Sequence, residues 1–339
     1  MAGALTALQR VAAGQEATAG TLVAASRIVP HLTGSSYTEA EERQRLEEAR
    51  GVLAYVDDVV TRRMSTLELQ QELDVDFCLL AFLCGIEAAT GAADSSTTTP
   101  YTYAFRAGVS AARAKASATW EVIQSDGAAD HVLRRFGHAR PTTIGIEFAN
   151  GQTTKLNTTW VGGAGEDVVK AALNAQAAAS RQVIPASLWS VAIDDDWSAL
   201  GNAVAVNVRA LSWQLTTGLQ PSYHLRARER FDLDGWYDGR IALALGLTLD
   251  LDAAAAAEIA HWRRGDLRFI RLKTTRGTAG TERAITIDQA VRIIDSPNLL
   301  GSDGEQATVE LSAQLRADAS DIDEDVLKIE VLSGLSAWG

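Results

Sequence analysis

Ile241–Asp252 reads IALALGLTLDLD, and Ala253–Gly265 continues it as AAAAAEIAHWRRG. In the first stretch Ile241, Leu243, Leu245, Leu247, Leu249 and Leu251 alternate with Ala242, Ala244, Gly246, Thr248, Asp250 and Asp252. A period of two specifies a strand with one buried face. The alanines then switch the chain to strong helix formers, with Asp252 placed as the N-cap. Gly265 closes that helix behind Arg263 and Arg264, cations suited to a helix C-terminus.

The same signature occurs in the first half. Leu67, Leu69, Leu73 and Val75 alternate along TLELQQELDVD, and Asp76 stands before FCLLAFLCG as a second N-cap. A shift of 176 residues (243 − 67) sets Leu67 on Leu243, Leu73 on Leu249, Asp74 on Asp250 and Asp76 on Asp252. Upstream, Tyr55 meets Phe231 and Asp58 meets Asp234. A strand, a cap, a helix and an upstream aromatic in one register argue for an internal duplication.

Outward from these two anchors, alternation and β-rich composition place strands at Thr102–Arg106, Ala118–Ile123, Thr143–Ala149 and Thr153–Val161. In the second half they fall at Leu188–Ile193, Ala203–Leu215, Leu267–Thr274, Ala284–Ile294, Ala307–Leu315 and Val326–Leu332. Asn150-Gly151 is a hairpin signal, and Ser302-Asp303-Gly304 a turn. Glu166–Ser180 reads as a helix or a tether between units. The charged stretch Thr38–Arg50 reads as a solvated helix or long loop, of a kind that can also contact a neighbouring subunit.

Composition narrows the function classes. The 339 residues suggest about two domains; 47% are hydrophobic and 22% charged, ordinary values for a globular protein. A net charge of −12, with no clustering of cations along the chain, speaks against a nucleic-acid binder. Phe77–Ile86 is the strongest apolar run and is too short to span a bilayer. The N-terminus lacks the pattern of a signal peptide. Cys78 and Cys84, six apart on one helix, would point in different directions, which disfavours a disulfide.

Catalytic patterns are missing from the sequence. There is no Walker loop, no G-x-S-x-G elbow and no H-E-x-x-H. Gly162-Gly163-Ala164-Gly165 reads as a flexible turn. His31, His131, His138, His224 and His261 are scattered, so no zinc site is expected. Asp194-Asp195-Asp196 and the alternating Asp321, Asp323 and Asp325 read as solvated turns or strand ends, not calcium loops. A Cys78–His131 dyad would need a thiolate in an apolar helix. A hydrolase with dispersed carboxylates stays possible on spacing alone. So does a β-sandwich binding module or adhesin using Trp189, Trp197, Trp213, Trp236 and Trp262 as an exposed platform, although core and interface roles suit tryptophan better.

Several segments together resemble the tail tube (major tail) proteins of siphophages, in the long form with two tube domains. They are GQEATAGTLVAASRIVP near the N-terminus, WSVAIDDDWSALG, VRALSWQLTTGLQP, the strand–helix unit opening at Ile241, a strand ending LSAQLRA, and VLKIEVLSG. The resemblance implies a mainly β fold of two tandem tail-tube-like domains, each with two packed antiparallel sheets and a flanking α-helix. Their boundaries would be 1–185, with an N-terminal arm and linker, and 186–339. It also implies a non-enzymatic structural subunit that forms trimeric, pseudo-hexameric rings stacked into a hollow conduit for DNA ejection. Expected partners are further copies of itself, tape measure and tail terminator or tail tip proteins, and passing double-stranded DNA that is not specifically bound. No cofactor, metal or membrane is expected. The place expected is the virion tail, after assembly in the host bacterial cytoplasm.

Overall fold

The computed structural model describes residues 9–45, 58–93, 100–108, 113–125, 130–168, 181–201, 206–223, 233–278, 281–295, 297–303, 306–316 and 325–338. In the first half the elements are β1 (Arg10–Gln15), β2 (Arg27–Val29), β3 (Ser36–Arg45), β4 (Asp58–Glu72), α1 (Val75–Gly85), β5 (Ala92–Ala93), β6 (Tyr101–Gly108), β7 (Ala118–Ser125), β8 (Asp130–Ala149), β9 (Lys155–Gly162) and β10 (Glu166–Asp167). In the second half they are β11 (Trp189–Asp194), β12 (Val208–Thr216), β13 (Leu219–Ser222), β14 (Gly235–Asp238), β15 (Ala242–Asp250), α2 (Ala253–Arg264), β16 (Arg268–Arg276), β17 (Arg283–Ile293), β18 (Asn298–Asp303), β19 (Gln306–Leu315) and β20 (Asp325–Ser333). The protein is mainly β, and every strand pairing among the described residues is antiparallel.

The quoted stretch forms β15 and α2. Leu243, Leu245, Leu247 and Leu249 are buried, whereas Leu251 lies past the strand end and is exposed. Asp252 caps α2 by accepting from the Ala255 N–H at 3.0 Å, and Gly265 ends it in the left-handed region at φ 71°. The first-half cap differs from expectation. Asp74, not Asp76, is the N-cap of α1 and accepts from the Asp76 N–H at 3.0 Å. Asp76 sits in the first turn and is drawn to the C-terminal segment, where it accepts from the Ser333 hydroxyl at 2.6 Å and the Gly334 N–H at 3.1 Å. Every residue of α1 except Asp76 is buried, as suits a helix apolar on all sides. α2 buries only Ala255, Glu258 and Ile259 and lies at the surface.

Two layers emerge from the pairings. One long sheet runs β3–β4–β9–β8–β12–β15–β19, with β18 on the far side of β19. Two outer sheets lie across it, β2–β1–β7–β8–β10 in the first half and β11–β16–β17–β20–β6–β5 in the second. β8 belongs to both layers. Its first part pairs with β7 and its second with β9 and β12, and between them His138 takes a positive φ of 54°. Both backbone groups of His138 are held there, its N–H by Glu16 at 2.7 Å and its carbonyl by the Trp236 indole at 2.9 Å. β17 makes the same passage, pairing with β16 and β20 and then with β19.

The ladder order is the same in both halves. β3–β4–β9–β8–β7–β1 in the first is matched by β12–β15–β19–β17–β16–β11 in the second. The halves are also cross-laced, because β6 pairs with β20 and β8 with β12. A single main hydrophobic core runs from Val11 to Trp338 through both.

Other expectations need adjustment. Thr38–Arg50 is neither helix nor loop as far as it is described, since Ser36–Arg45 is a strand paired with β4. Glu166–Asp167 is a short strand on β8, and 169–180 lie outside the described residues. Tyr55, Phe231 and Asp321–Glu324 lie outside them too.

Candidate assembly surfaces

The long sheet has one buried and one open face. From β4 to β19 most residues that point inward are apolar, such as Leu69, Leu156, Ile146, Trp213 and Leu245, with Ser65, Gln71 and Thr158 buried among them. Residues that point outward form continuous cross-strand rows. One row runs Gln70–Asn157–Gly145–Gln214–Ala244–Gln314. The next runs Glu72–Lys155–Glu147–Ser212–Gly246–Ser312, and a third runs Ser36–Glu68–Thr159–Thr143–Thr216–Ala242. This face is therefore made of short polar and small side chains. Its charges are Glu68, Glu72, Glu147 and Glu310 against Lys155 and Arg292, which stands beside Gln314, with Asp250 holding Arg209 and Glu42 pairing with Arg62. Lys155 stands in register between Glu72 and Glu147, so the cation is flanked by acids.

At one end of that sheet β3 pairs only with β4, and at the other β18 pairs only with β19, among the described residues. Both ends therefore offer backbone donors and acceptors that a further strand could complete. The β3–β4 hairpin reaches beyond its neighbours and is laced by charge. Arg63 bonds Glu41 at 2.9 Å, Arg43 bonds Asp58 at 3.1 Å, and Arg62 bonds Glu42. Arg134 grips Glu39 from the outer layer through its guanidinium, holding the carboxyl below the ordinary range.

Several of the residues weighed for chemistry have structural partners, while His224, Asp321 and Asp323 lie outside the described residues. Asp194 is buried and accepts from the Gly201 N–H at 3.1 Å, Asp195 pairs with Arg268, and Asp196 caps the turn at Ser198 and Ala199. Cys78 and Cys84 are free and buried, and burial pushes both thiols far above their usual range. His261 meets Asp266 at 2.9 Å at the end of α2. Among the described residues no three His, Cys, Asp or Glu side chains converge on a metal position, and no helix is long and apolar enough to cross a membrane. None of the eight tryptophans is exposed, and Trp120, Trp160, Trp213 and Trp338 are almost fully buried.

The family model described as "Phage tail tube protein" matches residues 6–317. The chain belongs to the phage tail tube protein family. Membership gives it a structural role in the tail tube, and with that a place in the virion tail and a surface for self-assembly. No curated protein matches the chain. What sequence reading missed within this tail tube protein is the edge strand β3. Its residues alternate, but with charge on both faces, so hydrophobic periodicity carries no signal there.

Proposed function

We propose that this tail tube protein polymerises as closed rings of three chains that stack into a hollow conduit for DNA. The β3 edge of one chain joins the β18–β19 edge of the next, and the polar face of the long sheet lines the channel. The observation that carries this reading is one sheet whose two end strands each pair on one side only, among the described residues, with a polar, weakly acidic face. Joining such edges closes a barrel and removes exposed ladders that would otherwise aggregate. Two fused tube units, 1–185 and 186–339, would give each ring pseudo-sixfold symmetry, and the repeated ladder order with its twin capped helices supports that division. A face poor in free cations suits a duplex that must slide, because each phosphate contact strengthens binding in a salt-dependent way. Tape measure and tail terminator or tip proteins would be its other partners, with assembly in the host cytoplasm.

The alternative, a binding module with an exposed tryptophan platform, loses support because Trp213 is buried and Trp189, Trp197, Trp236 and Trp262 are half-buried, none of them exposed. Electron microscopy of the purified protein tests the proposal. Stacked rings with threefold symmetry are expected, each interface burying more than about 2,000 Å² as obligate contacts do. A protein that stays monomeric at high concentration would overturn it.

A further inference from the structure

The chain holds one joint between its own halves, and the repeated ladder makes that joint a template. β12 of the second half lies along β8 of the first, with Thr216 opposite Thr143, Leu215 opposite Ile144 and Gln214 opposite Gly145. In the repeat β12 corresponds to β3, and β8 corresponds to β17 with its continuation β18. β3 stands at the far end of the long sheet, so β17 and β18 have no such strand from their own chain.

Partner by partner, the pairings set single residues of the two halves in correspondence. Tyr37 faces Leu67 and Leu215 faces Leu243, so with Leu67 set on Leu243, β3 maps onto β12 by 178 residues (215 − 37). Glu68 faces Thr159 and Ala244 faces Gln314, which maps β9 onto β19 by 155 residues (314 − 159). Thr143 and Ile144 face Thr159 and Thr158, as Arg292 and Ile293 face Gln314 and Ala313. Ile294 keeps this register. Its N–H donates to the Ser312 carbonyl at 2.9 Å, and Ser312 corresponds to Asn157, which faces Gly145. Two extra residues then precede Asn298, which faces Glu310 as Glu147 faces Lys155.

Both edges suit such a joint. β16 accompanies β17 as far as Val291, and from Arg292 to Ile294 that side of the strand has no partner among the described residues. In the same way β7 leaves β8 at Ala139 before β12 begins at Thr143. Ile293 is buried between exposed Arg292 and Ile294, and Ile294 is a large apolar side chain left 39% exposed at the edge. On β3, Tyr37 turns to the core side and stacks on Phe136, with Ser36 and Thr38 on the polar face. The joint within the chain also sets a stagger. The row through Ala244 begins at Gln70, whereas the residue equivalent to Ala244 is Glu68, an offset of two residues (70 − 68). A constant stagger from unit to unit is what a closed barrel requires.

We propose that the joint between copies repeats the joint within the chain. Thr38 of one copy stands opposite Arg292 of the next, Tyr37 opposite Ile293, and Ser36 opposite Ile294. This rests on the proposed ring assembly and gives its seam a register. A slip of one residue would set Tyr37 against Arg292 or Ile294 and turn a core side chain to the polar face.

Cysteine pairs in assembled tubes test the register. Directly opposed residues lie about 4.5–5.5 Å apart, within disulfide reach, whereas diagonal neighbours lie about 7–8 Å apart and beyond it. S36C with I294C, and separately T38C with R292C, are expected on oxidation to link three chains into one covalent ring. The diagonal pair S36C with R292C is expected to link at least about tenfold less. G145C with Q214C, the equivalent pair inside the chain, is the control and should close within single chains; Gly145 has room for a Cβ, with the nearest atom 3.6 Å away. Mixed tubes of S36C chains and I294C chains should give linked pairs, which places the contact between copies. The register is overturned if tubes form and the control closes while neither opposed pair links, or if the diagonal pair links as readily. Where the cysteines prevent assembly, electron cryomicroscopy of unsubstituted tubes reads the pairing, and any residue but Ile293 opposite Tyr37 overturns it. A wild-type protein that forms no tubes would defeat the ring reading, and this joint with it.

Discussion

Single residues decide where the two helices begin. In Leu73-Asp74-Val75-Asp76 either acid could cap a helix by local rules, and the sequence register with Asp252 favours Asp76. The choice is made by tertiary structure, because Asp76 is engaged by Ser333 and Gly334, which are far away in the chain. Burial raises the Asp74 carboxyl above its ordinary range, against the pull of the N–H groups of Gln182 and Asp76. Asp252→Ala should cost about 1 kcal/mol, the usual worth of an N-cap, with α2 destabilised and assembly retained; calorimetry checks it. A larger effect is expected at Glu258, which binds Arg268 through two oxygens at 2.7 and 2.9 Å with both side chains buried. Glu258→Ala leaves the buried guanidinium with only the exposed Asp195 as ion-pair partner and should destabilise by less than the roughly 3–5 kcal/mol of a fully stranded buried charge, read from denaturant midpoints. Glu39 supplies a pH signature. Its folded pKa is depressed, so the stability it contributes is complete above the usual value of about 4.3 and is lost as pH falls through the lower folded value. Glu39→Gln should lower stability at neutral pH, where the carboxylate is charged and held by Arg134, and change it little below the folded pKa, so that this component of the acid limb flattens; denaturant midpoints against pH check it.

At the scale of elements, legibility tracks hydrophobic contrast. β15 announces itself because leucine alternates with alanine and glycine, and β12, β16, β17, β19 and β20 follow for the same reason. β3 carries Glu39, Glu41, Glu42 and Arg43 in a row, and what makes it a strand is the partner opposite it. Its pairs are solvent-exposed and screened, so they add little to global stability. Reversing Arg62 and Arg63 together to Glu should therefore move the melting temperature only slightly. The same change should fray the hairpin and sharply reduce ring formation, a contrast that differential scanning calorimetry and microscopy would show on one sample. Equal loss of both would mean that β3 belongs to the core and not to the assembly edge.

For the whole molecule, the pairings that unite the halves were invisible in sequence, since β6 with β20 and β8 with β12 join residues far apart in the chain. Alternation reveals that a strand has two faces, but not which strands share a sheet. The polar face becomes legible only once the rows through Asn157, Gln214 and Gln314 are assembled. Introducing arginine at Ser212, Thr248 and Ser312 should leave folding intact and give assembled tubes a DNA affinity that falls steeply with salt. Unchanged DNA release from such tubes would remove this face from the channel. The cross-lacing also predicts that the chain unfolds in a single transition despite its repeated ladder. Two separate transitions would show halves that stand alone.

β8 and β17 each run continuously through both layers, so each acts as a beam framed into two walls. A load on the inner surface is carried along covalent backbone into the outer one, and shear between layers would have to bend that beam at His138. A unit braced in this way behaves as a stiff plate. Any curvature of a tail tube built from such plates would then be accommodated at the seams between them, and under axial tension the seams should yield before any strand does.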